Sequence, residues 1–424
     1  MNWPVSWRSA PLWSLFDRIK DVGHPDEEML SVYRNYGVVR KDDRKDNYNK
    51  TAENRDIYQL IDQGWLIVNR MKAWQGAVGI SPYRGIVSGH YICFRPRHGE
   101  DAQFLNWLLR SDAYTYEYAR LSRGVRPNQI EIDNELLRNL SVHFPSIDEQ
   151  RRIADFLDTE VGRIDRLAVL RQGQSMRIQE RYSAALSEYV IPGITVDSAR
   201  SQSWPWLPDT TPLARLGYLA RVQNGVTVHG ARVVNGDEVE VPYLRVANVQ
   251  GERLDLAEIK HITLPQEMAL RSTLRAGDVV MTEANGNPDN LGRGALWCDE
   301  IPGMVHQNHI FAIRTDYAKL LPEFLVALLA SIHGRCYFRM TSSQVGIATT
   351  SSSKVLDFPV PVFTLVQQRQ AIQNWRDVRE ETNRLVAALD AQFALLAERR
   401  RALVTAAVTG QIDVSTASGR GIED

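Results

Sequence analysis

Two long stretches of the chain place apolar residues at alternating spacings of four and three positions. They cover residues 149–190 and 367–408, and neither contains a proline. This spacing keeps one stripe of a helix turned toward a partner helix, as in a coiled coil. At 1.5 Å per residue, each helix would be roughly 60 Å long. The predicted seam consists of Leu157, Val161, Ile164, Ala168, Ile178, Tyr182, Tyr189, Trp375, Val378, Leu385, Leu389, Leu396 and Leu403.

Each of these helices would expose its apolar stripe if it stood alone. Because a globular stretch separates them, the simplest closed arrangement is antiparallel, with Leu157–Tyr189 along Trp375–Ala406. Alternatively, each helix packs on its own globular domain. A domain of ~150 residues offers a face only about 35 Å across, which favours the paired arrangement. Polar residues interrupt the seam at Arg171 and Arg399, as expected for residues that fix the register of the paired helices or contact a partner.

The remainder of the chain is a mixed stretch that occurs twice. Short apolar runs such as Trp65–Val68 and Gly277–Met281 predict buried strands. Each copy continues into a predicted short helix, at Ala102–Ser111 and Pro322–Ser331. Matching landmarks lie 218 to 220 residues apart, but only 201 apart at the start of each copy, so the second copy holds about 17 additional residues. An ordered match at a nearly constant offset indicates a tandem duplication.

The patterns together predict a mixed α/β protein, with two globular domains related by pseudo-twofold symmetry and joined by two long antiparallel coiled-coil helices. The predicted segments are a first domain at 1–148, a helix at 149–190, a linker with the second domain at 191–366, a helix at 367–410 and a tail at 411–424.

Composition and charge narrow the class of protein. Of the 424 residues, 44% are apolar and 24% are charged, which is ordinary for a well-packed globular protein. The formal net charge of −1 means that a nucleic-acid-binding surface would have to concentrate its cations locally. Cys93, Cys298 and Cys336 are widely spaced and odd in number, which argues against a disulfide framework. We expect a cytoplasmic protein, because there is neither a signal-like N-terminus nor an apolar run of ~20 residues.

The sequence contains no recognisable catalytic motif. It has no phosphate-binding Gly-x-x-x-x-Gly-Lys-Ser/Thr loop and no Asn/Asp-Pro-Pro-aromatic motif for adenine methylation. A nuclease-like Glu258-Ile259-Lys260 lies downstream of Asp237, but the Pro-Asp that normally accompanies it is missing. The histidines lack His-Glu-x-x-His spacing, so no metal site is predicted. We therefore expect a chain that is not an enzyme.

Two segments resemble a known family. Residues 145–158, PSIDEQRRIADFLD, are similar to the start of the central conserved region in specificity subunits of type I restriction-modification enzymes, and residues 402–414, ALVTAAVTGQIDV, resemble the end of their distal region. The alternation of variable domain and long helix over the full chain is similar too. The second copy departs from the pattern at residues 367–372, QQRQAI, with Gln in place of Glu and one extra residue before Ile.

The resemblance implies a division of labour. Each variable domain would be a target-recognition domain for one half of a split site in double-stranded DNA, and the paired helices would set the spacer. The chain would dock two methyltransferase (modification) subunits, and the complex would recruit motor-nuclease (restriction) subunits. It would bind no cofactor itself, because S-adenosylmethionine and ATP belong to those partners. The alternatives are a coiled-coil scaffold with two globular heads and no DNA role, or a fused single-chain restriction enzyme.

Residues suited to DNA contact cluster at equivalent places in the two copies. Base readout uses Arg for guanine and Asn or Gln for adenine, while phosphates take Arg, Lys and small polar groups. In the first copy the candidates are Arg70, Lys72, Trp74, Gln75, Arg84, Arg123, Arg126, Asn128 and Gln129. In the second copy they are Asn285, Asn287, Arg293, His306, Gln307, Asn308, His309, Ser342, Ser343 and Gln344. The alternative is that these stretches are simply solvated loops.

Overall fold

The computed structural model describes residues 3–34, 36–43, 54–124, 130–227, 237–343 and 347–414. The chain divides into two compact units, one of residues 1–172 with 390–424 and the other of residues 173–389. Each of the two long helices therefore contributes one part to each unit. None of the described helices combines the length and the apolar character that a membrane span requires.

The first unit is an assembly of short strands with small helices between them, followed by a long helix. In chain order its elements are β1 (Arg8–Pro11), α1 (Leu12–Leu15), β2 (Phe16–Ile19), β3 (Leu30–Tyr33), β4 (Gly37–Arg40), β5 (Gln59–Ile61), β6 (Leu66–Asn69), β7 (Val78–Ile80), β8 (Gly85–Val87), β9 (Tyr91–Pro96), α2 (Ala102–Leu109), α3 (Asp112–Arg120), β10 (Ser122–Arg123), β11 (Glu131–Ile132), α4 (Asn134–Arg138), β12 (Ser141–Phe144) and α5 (Ile147–Val190).

The second unit repeats this plan. Its elements are β13 (Leu213–Arg215), β14 (Ala220–Asn224), β15 (Glu238–Leu244), β16 (Lys260–Pro265), α6 (Gln266–Ser272), β17 (Val279–Thr282), β18 (Ala284–Asn285), β19 (Gly294–Leu296), β20 (Val305–His306), β21 (Ile310–Thr315), α7 (Pro322–Ala330), α8 (Ile332–Thr341), β22 (Ala348–Thr349), α9 (Ser352–Leu356), β23 (Pro359–Pro361) and α10 (Leu365–Val408).

The duplication appears as a shared sheet topology. The central antiparallel sheet has the order β2–β9–β6–β7 in the first unit and β14–β21–β17–β19 in the second. Across both sheets, the strand that comes first in the chain lies at one edge, and the fourth, second and third strands of the chain follow it in that order. The pairs β1–β12 and β13–β23 are also antiparallel and join the beginning of each domain to its end. The first residues of α5 and α10, and those of β9 and β21, keep the offset found in the sequence. The predicted repeat and the mixed α/β class are confirmed.

Helices α5 and α10 pack antiparallel within each unit, as predicted. Both are 44 residues long, and each begins two residues earlier than the sequence pattern suggested. In the first unit, Leu157 of α5 lies in the same buried cluster as Ala407 of α10. In the second unit, Leu186 of α5 shares a cluster with Ile372 of α10. The early part of α5 thus meets the late part of α10, and the reverse holds in the other unit.

The buried stripe of the helices follows the predicted seam only in part. Leu385 is 45% exposed, so its assignment to the seam is wrong. Near the helix ends the buried residues are Val190 and Val404, one position after the predicted Tyr189 and Leu403. A straight α-helix drifts by about 20° per heptad from a strict 3.5-residue repeat, which moves the buried stripe along the sequence. The buried seam residues are Leu157, Val161, Ile164, Trp375 and Leu389. The half-buried ones are Ala168, Ile178, Tyr182, Tyr189, Val378, Leu396 and Leu403.

A buried glutamine fastens each long helix to its domain. Gln150 is fully buried, and its Oε1 accepts the backbone N–H of Asp101, the N-cap of α2, at 2.9 Å. Its Nε2 donates to the carbonyl of Pro145, two residues before α5, at 3.0 Å. Gln368, at 2% exposure, repeats both bonds with the N–H of Leu321 at 2.8 Å and a carbonyl two residues before α10 at 3.1 Å. The Glu-Gln-Arg and Gln-Gln-Arg motifs are thus the attachment points of the helices.

Candidate nucleic-acid interface

The first candidate loop follows β6 and is held by its own turn. Asn69 Oδ1 accepts two backbone N–H groups of the loop, both at 3.1 Å. A short 3₁₀ turn then ends at Gly76, whose φ of 87° favours glycine. Trp74 is half-buried, and its indole donates to a backbone carbonyl of the same loop at 3.0 Å. Lys72 and Gln75 are exposed. The loop therefore presents a cation and an amide from a fixed backbone.

Backbone hydrogen bonds join this loop to two other segments of the first unit. The N–H of Arg70 donates to the carbonyl of His90 at 3.0 Å, and the carbonyl of Arg70 accepts the N–H of Ile132 at 3.0 Å. The side chain of Arg70 lies 3.6 Å from Glu131. Arg123 lies opposite Glu131 in the β10–β11 pair. The structure thus brings the two candidate stretches of the first copy together at one point where three segments of the chain meet, which we call the junction.

The second unit builds the same junction at the same positions of the repeat. The N–H of Glu283 donates to the carbonyl of His309 at 2.9 Å, and its carbonyl accepts the N–H of Thr350 at 2.9 Å. The ring Nδ1 of His309 also lies 3.4 Å from the Glu283 carboxylate. Asn285 lies in β18, which pairs with β22, and an isolated bridge attaches Ser343 to the same strand. The junction brings together parts of all three candidate stretches of the second copy.

Sequence analysis missed the exposed His90. Its carbonyl has the same role at the first junction as that of His309 at the second. The signal was present in the repeat, because each histidine directly precedes the corresponding strand, β9 or β21. An alignment of the two copies residue by residue would have found it.

The remaining candidates of the second copy have mixed surroundings. Asn285 and Asn287 each accept a backbone N–H two residues later, both at 3.0 Å, so their amides are held within the loop. Arg293 is half-buried, and burial lowers its pKa. Asn308 is half-buried and its N–H donates to the carbonyl of Val226 at 2.8 Å. Two further candidates, Gln307 and Ser342, are half-buried, whereas Ser343 is exposed.

His306 is a core residue, and its predicted contact with DNA is wrong. It is fully buried in β20, and its Nε2 lies 3.3 Å from the carbonyl of Gln223. Burial lowers the pKa of this imidazole, which favours the neutral ring. The polar sequence around it resembles a loop, but a parallel pairing of β20 with β15 draws it inside.

Arg84 lies in an ion-paired cluster of its own. Its guanidinium donates to Glu27 at 2.9 Å and to Asp62 at 3.3 Å. The hydrogen bond and charge of Glu27, with a smaller contribution from Asp62, raise its pKa. The structure places Arg84 with these carboxylates and not in the hydrogen bonds of the junction. Four predicted residues lie outside the described residues: Arg126, Asn128, Gln129 and Gln344.

Comparison with known proteins agrees with the resemblance found in the sequence. The family model of the type I restriction modification DNA specificity domain matches residues 7–167. The StySPI type I restriction enzyme specificity subunit of Salmonella potsdam is 22% identical over 377 residues, covering 84% of this chain and 79% of that protein. The EcoKI specificity subunit of Escherichia coli K12 is 25% identical over 258 residues, covering 58% of this chain and 52% of that protein.

A solved structure shares the fold over nearly the whole chain. A chain from a study of complex assembly and conformational transition of the type I R-M system aligns with a TM-score of 0.69 at 16% identity. The alignment covers 97% of this chain and all of that one. The resemblance predicted from the sequence is confirmed: residues 7–167 match the model of the type I restriction modification DNA specificity domain, and most of the chain is similar to specificity subunits of type I restriction enzymes.

Proposed function

We propose that this chain recognises a two-part DNA sequence, with one part contacted by each globular domain. The observation that carries the proposal is that each unit contains such a junction at the matching position, around Arg70 in the first unit and around Glu283 in the second. The family match covers only the first copy. The shared strand order and the shared backbone hydrogen bonds support the same role for the second copy.

The construction of the junction suits a variable recognition surface. Its hydrogen bonds are made by backbone groups, so the side chains around it are free to differ between the copies. The first copy presents Arg70, Gln75 and Arg123, which are suited to guanine, adenine and phosphates. The second copy presents Asn285 and His309, and the His309 ring lies near the carboxylate of Glu283. Each well-formed bidentate contact discriminates by about 1–3 kcal/mol. We therefore expect two half-sites of different sequence.

The same proposal assigns roles to the helices and to the partners. Helices α5 and α10 would set the number of unspecified base pairs between the half-sites. Two methyltransferase subunits would dock on the chain and supply S-adenosylmethionine chemistry, and motor-nuclease subunits would supply ATP-driven cleavage. The chain itself would be non-catalytic and hold no cofactor. Support for this division comes from its likeness to type I specificity subunits.

The decisive experiment is methylome sequencing of a host that carries this chain with its methyltransferase subunit. We expect methylated adenines in one bipartite motif. Exchange of residues 1–148 for the first domain of another specificity subunit should change one half-site and keep the spacer. A change in both half-sites, or methyl transfer by the chain alone, would contradict the proposal. A scaffold without a DNA role would show no salt-dependent affinity for DNA.

A further inference from the structure

A cavity lined by arginines lies in the first unit beside the first candidate loop, which follows β6 and is a recognition loop under the proposed function. It has a volume of about 90 Å³ and is enclosed by the turn between α2 and α3, the late part of α10 and the loop after β6. Four arginines line it, Arg34, Arg110, Arg400 and Arg401. Gly76, where the recognition loop ends, forms part of the wall. The role proposed above for the loops does not account for this cavity.

Arg110 is half-buried and incompletely bonded. Its Nε is buried and makes no hydrogen bond to the described residues, while its Nη2 donates to the carbonyl of Arg34 at 3.4 Å. A side chain at position 37 would begin 3.1 Å from Nη1, so Gly37 leaves room for the guanidinium. Burial, and secondarily the charge of Arg400, lowers the pKa of Arg110 to about 10. The group therefore remains charged at neutral pH.

The cavity carries an excess of positive charge. Its wall includes one carboxylate, Asp112, in the first turn of α3. A second carboxylate, Asp165, lies 3.2 Å from Arg400. Among the described residues, four guanidinium groups are thus opposed by these two carboxylates. Because a poorly solvated charge without a partner is costly, the site favours occupation by an anion.

The second copy lacks two of these arginines, Arg110 and Arg400, at the equivalent positions. The position equivalent to Arg110 is Ala330, since both stand equally far from the first residue of the matching helix, α2 or α7. The next residue is a serine in both copies and donates to the carbonyl three residues earlier, which confirms the register. By the same measure along α10 and α5, the equivalent of Arg400 is Tyr182, whose hydroxyl bonds to Glu252. At these two positions the arginines are therefore found in the first unit alone.

We propose that this cavity binds a phosphate group. Planar guanidinium groups match the oxygens of phosphate in pairs, and several of them converge here. The loop after β6 ends at Gly76 in the wall of the cavity, which points to a phosphate of the DNA backbone as the ligand; this source rests on the proposed function. A free phosphate would satisfy the same chemistry. The contact would fix the position of the domain on DNA without specifying bases.

The first test is calorimetric titration of the full-length chain with inorganic phosphate. We expect one phosphate-binding site. Arg110→Ala should lower its affinity at least tenfold, and Arg110→Lys should lower it less, because lysine keeps the charge but cannot donate two parallel hydrogen bonds. The control is Arg163→Gln, an exposed arginine of α5 paired with Glu160 at 2.6 Å, which should bind like the wild type. The alanine at position 330 indicates that the fold tolerates Arg110→Ala, and circular dichroism verifies it.

The second test measures DNA affinity of the complex at several salt concentrations. Arg110→Ala should weaken specific and unrelated duplexes alike, reduce the slope of log K against log salt by about one, and keep the methylated motif. If phosphate binding is lost but the slope is kept, the ligand is a free phosphate. If neither property changes, the inference is wrong. A wild-type complex without salt-dependent DNA binding would contradict the proposed function instead, and the calorimetry would still decide this site.

Discussion

A paired insertion in the two long helices should lengthen the DNA spacer and leave both half-sites unchanged. Four residues are added to α5 after Gln172 and four to α10 after Leu389, the points at which the two compact units divide. Adding them at both points keeps every helix pairing inside each unit. Gln172 is exposed, and nothing lies within 4 Å of the place where a side chain on Gly173 would begin. The insertion in α5 therefore displaces no buried contact.

The size of the effect follows from helix geometry. Four residues advance an α-helix by about 6 Å and rotate it by about 40° beyond a full turn. Two base-pair steps advance B-DNA by about 6.8 Å and twist it by about 70°. The advance nearly matches and the rotation differs by about 30°, so we expect a spacer longer by about one to two base pairs. Affinity should fall, because DNA must absorb the remaining twist.

The assay is methylome sequencing with the paired insertion and with an insertion in α5 alone. The single insertion shifts α5 against α10 in one unit, so it should abolish methylation by disrupting the buried pairing. The paired insertion should retain methylation at the longer motif. An unchanged spacer, or a change in the specified bases, would refute the mechanism in which the helices measure distance between two recognition domains.

Two further predictions concern stability. Gln150→Leu and Gln368→Leu should each lower the free energy of unfolding by about 2–3 kcal/mol, because buried backbone groups lose their partners. Gln373→Leu, exposed on α10, should change it by less than about 0.5 kcal/mol in the same urea titrations; equal effects would contradict the anchoring role. Burial lowers the pKa of His333 to about 4, and the usual value is about 6.5. Below pH 6.5 the unfolded chain binds a proton that the folded chain does not, so stability should fall toward pH 4 by up to about 1.4 kcal/mol per pH unit. His333→Gln should flatten this dependence, and an unchanged slope between pH 4.5 and 7 would show that another group causes it.

The elements that sequence analysis predicted well are those with a long period or an exact partner elsewhere in the chain. The long helices were visible because a seam of apolar residues recurs over some forty positions. The correspondence of the candidate loops between the two copies was visible because polar stretches recur at equivalent places in the repeat. Such signals are local or repeated, so one sequence is enough to detect them.

The error at His306 and the contacts that sequence analysis did not foresee arise where distant parts of the chain determine the surroundings of a residue. His306 lies in a polar stretch, yet its pairing with β15 buries it. Arg84 is ion-paired with Glu27, which lies far from it in the sequence. The arginine cavity combines Arg110 with Arg400, which lie 290 positions apart in the sequence. The late part of α10 packs in the first unit with the early part of α5, which places Arg400 beside Arg110.

The glutamine anchors have a consequence for how such a chain changes over generations. Gln368 contacts its domain through the backbone N–H of Leu321 and two carbonyls, and Gln150 contacts the N–H of Asp101 and a carbonyl, besides the carboxylate of Glu100. Nearly every amino acid offers these backbone groups. A domain with entirely different side chains can therefore be joined to the same helix by a single recombination event. The attachment survives the exchange, and under the proposed function a lineage would acquire a new half-site in one step.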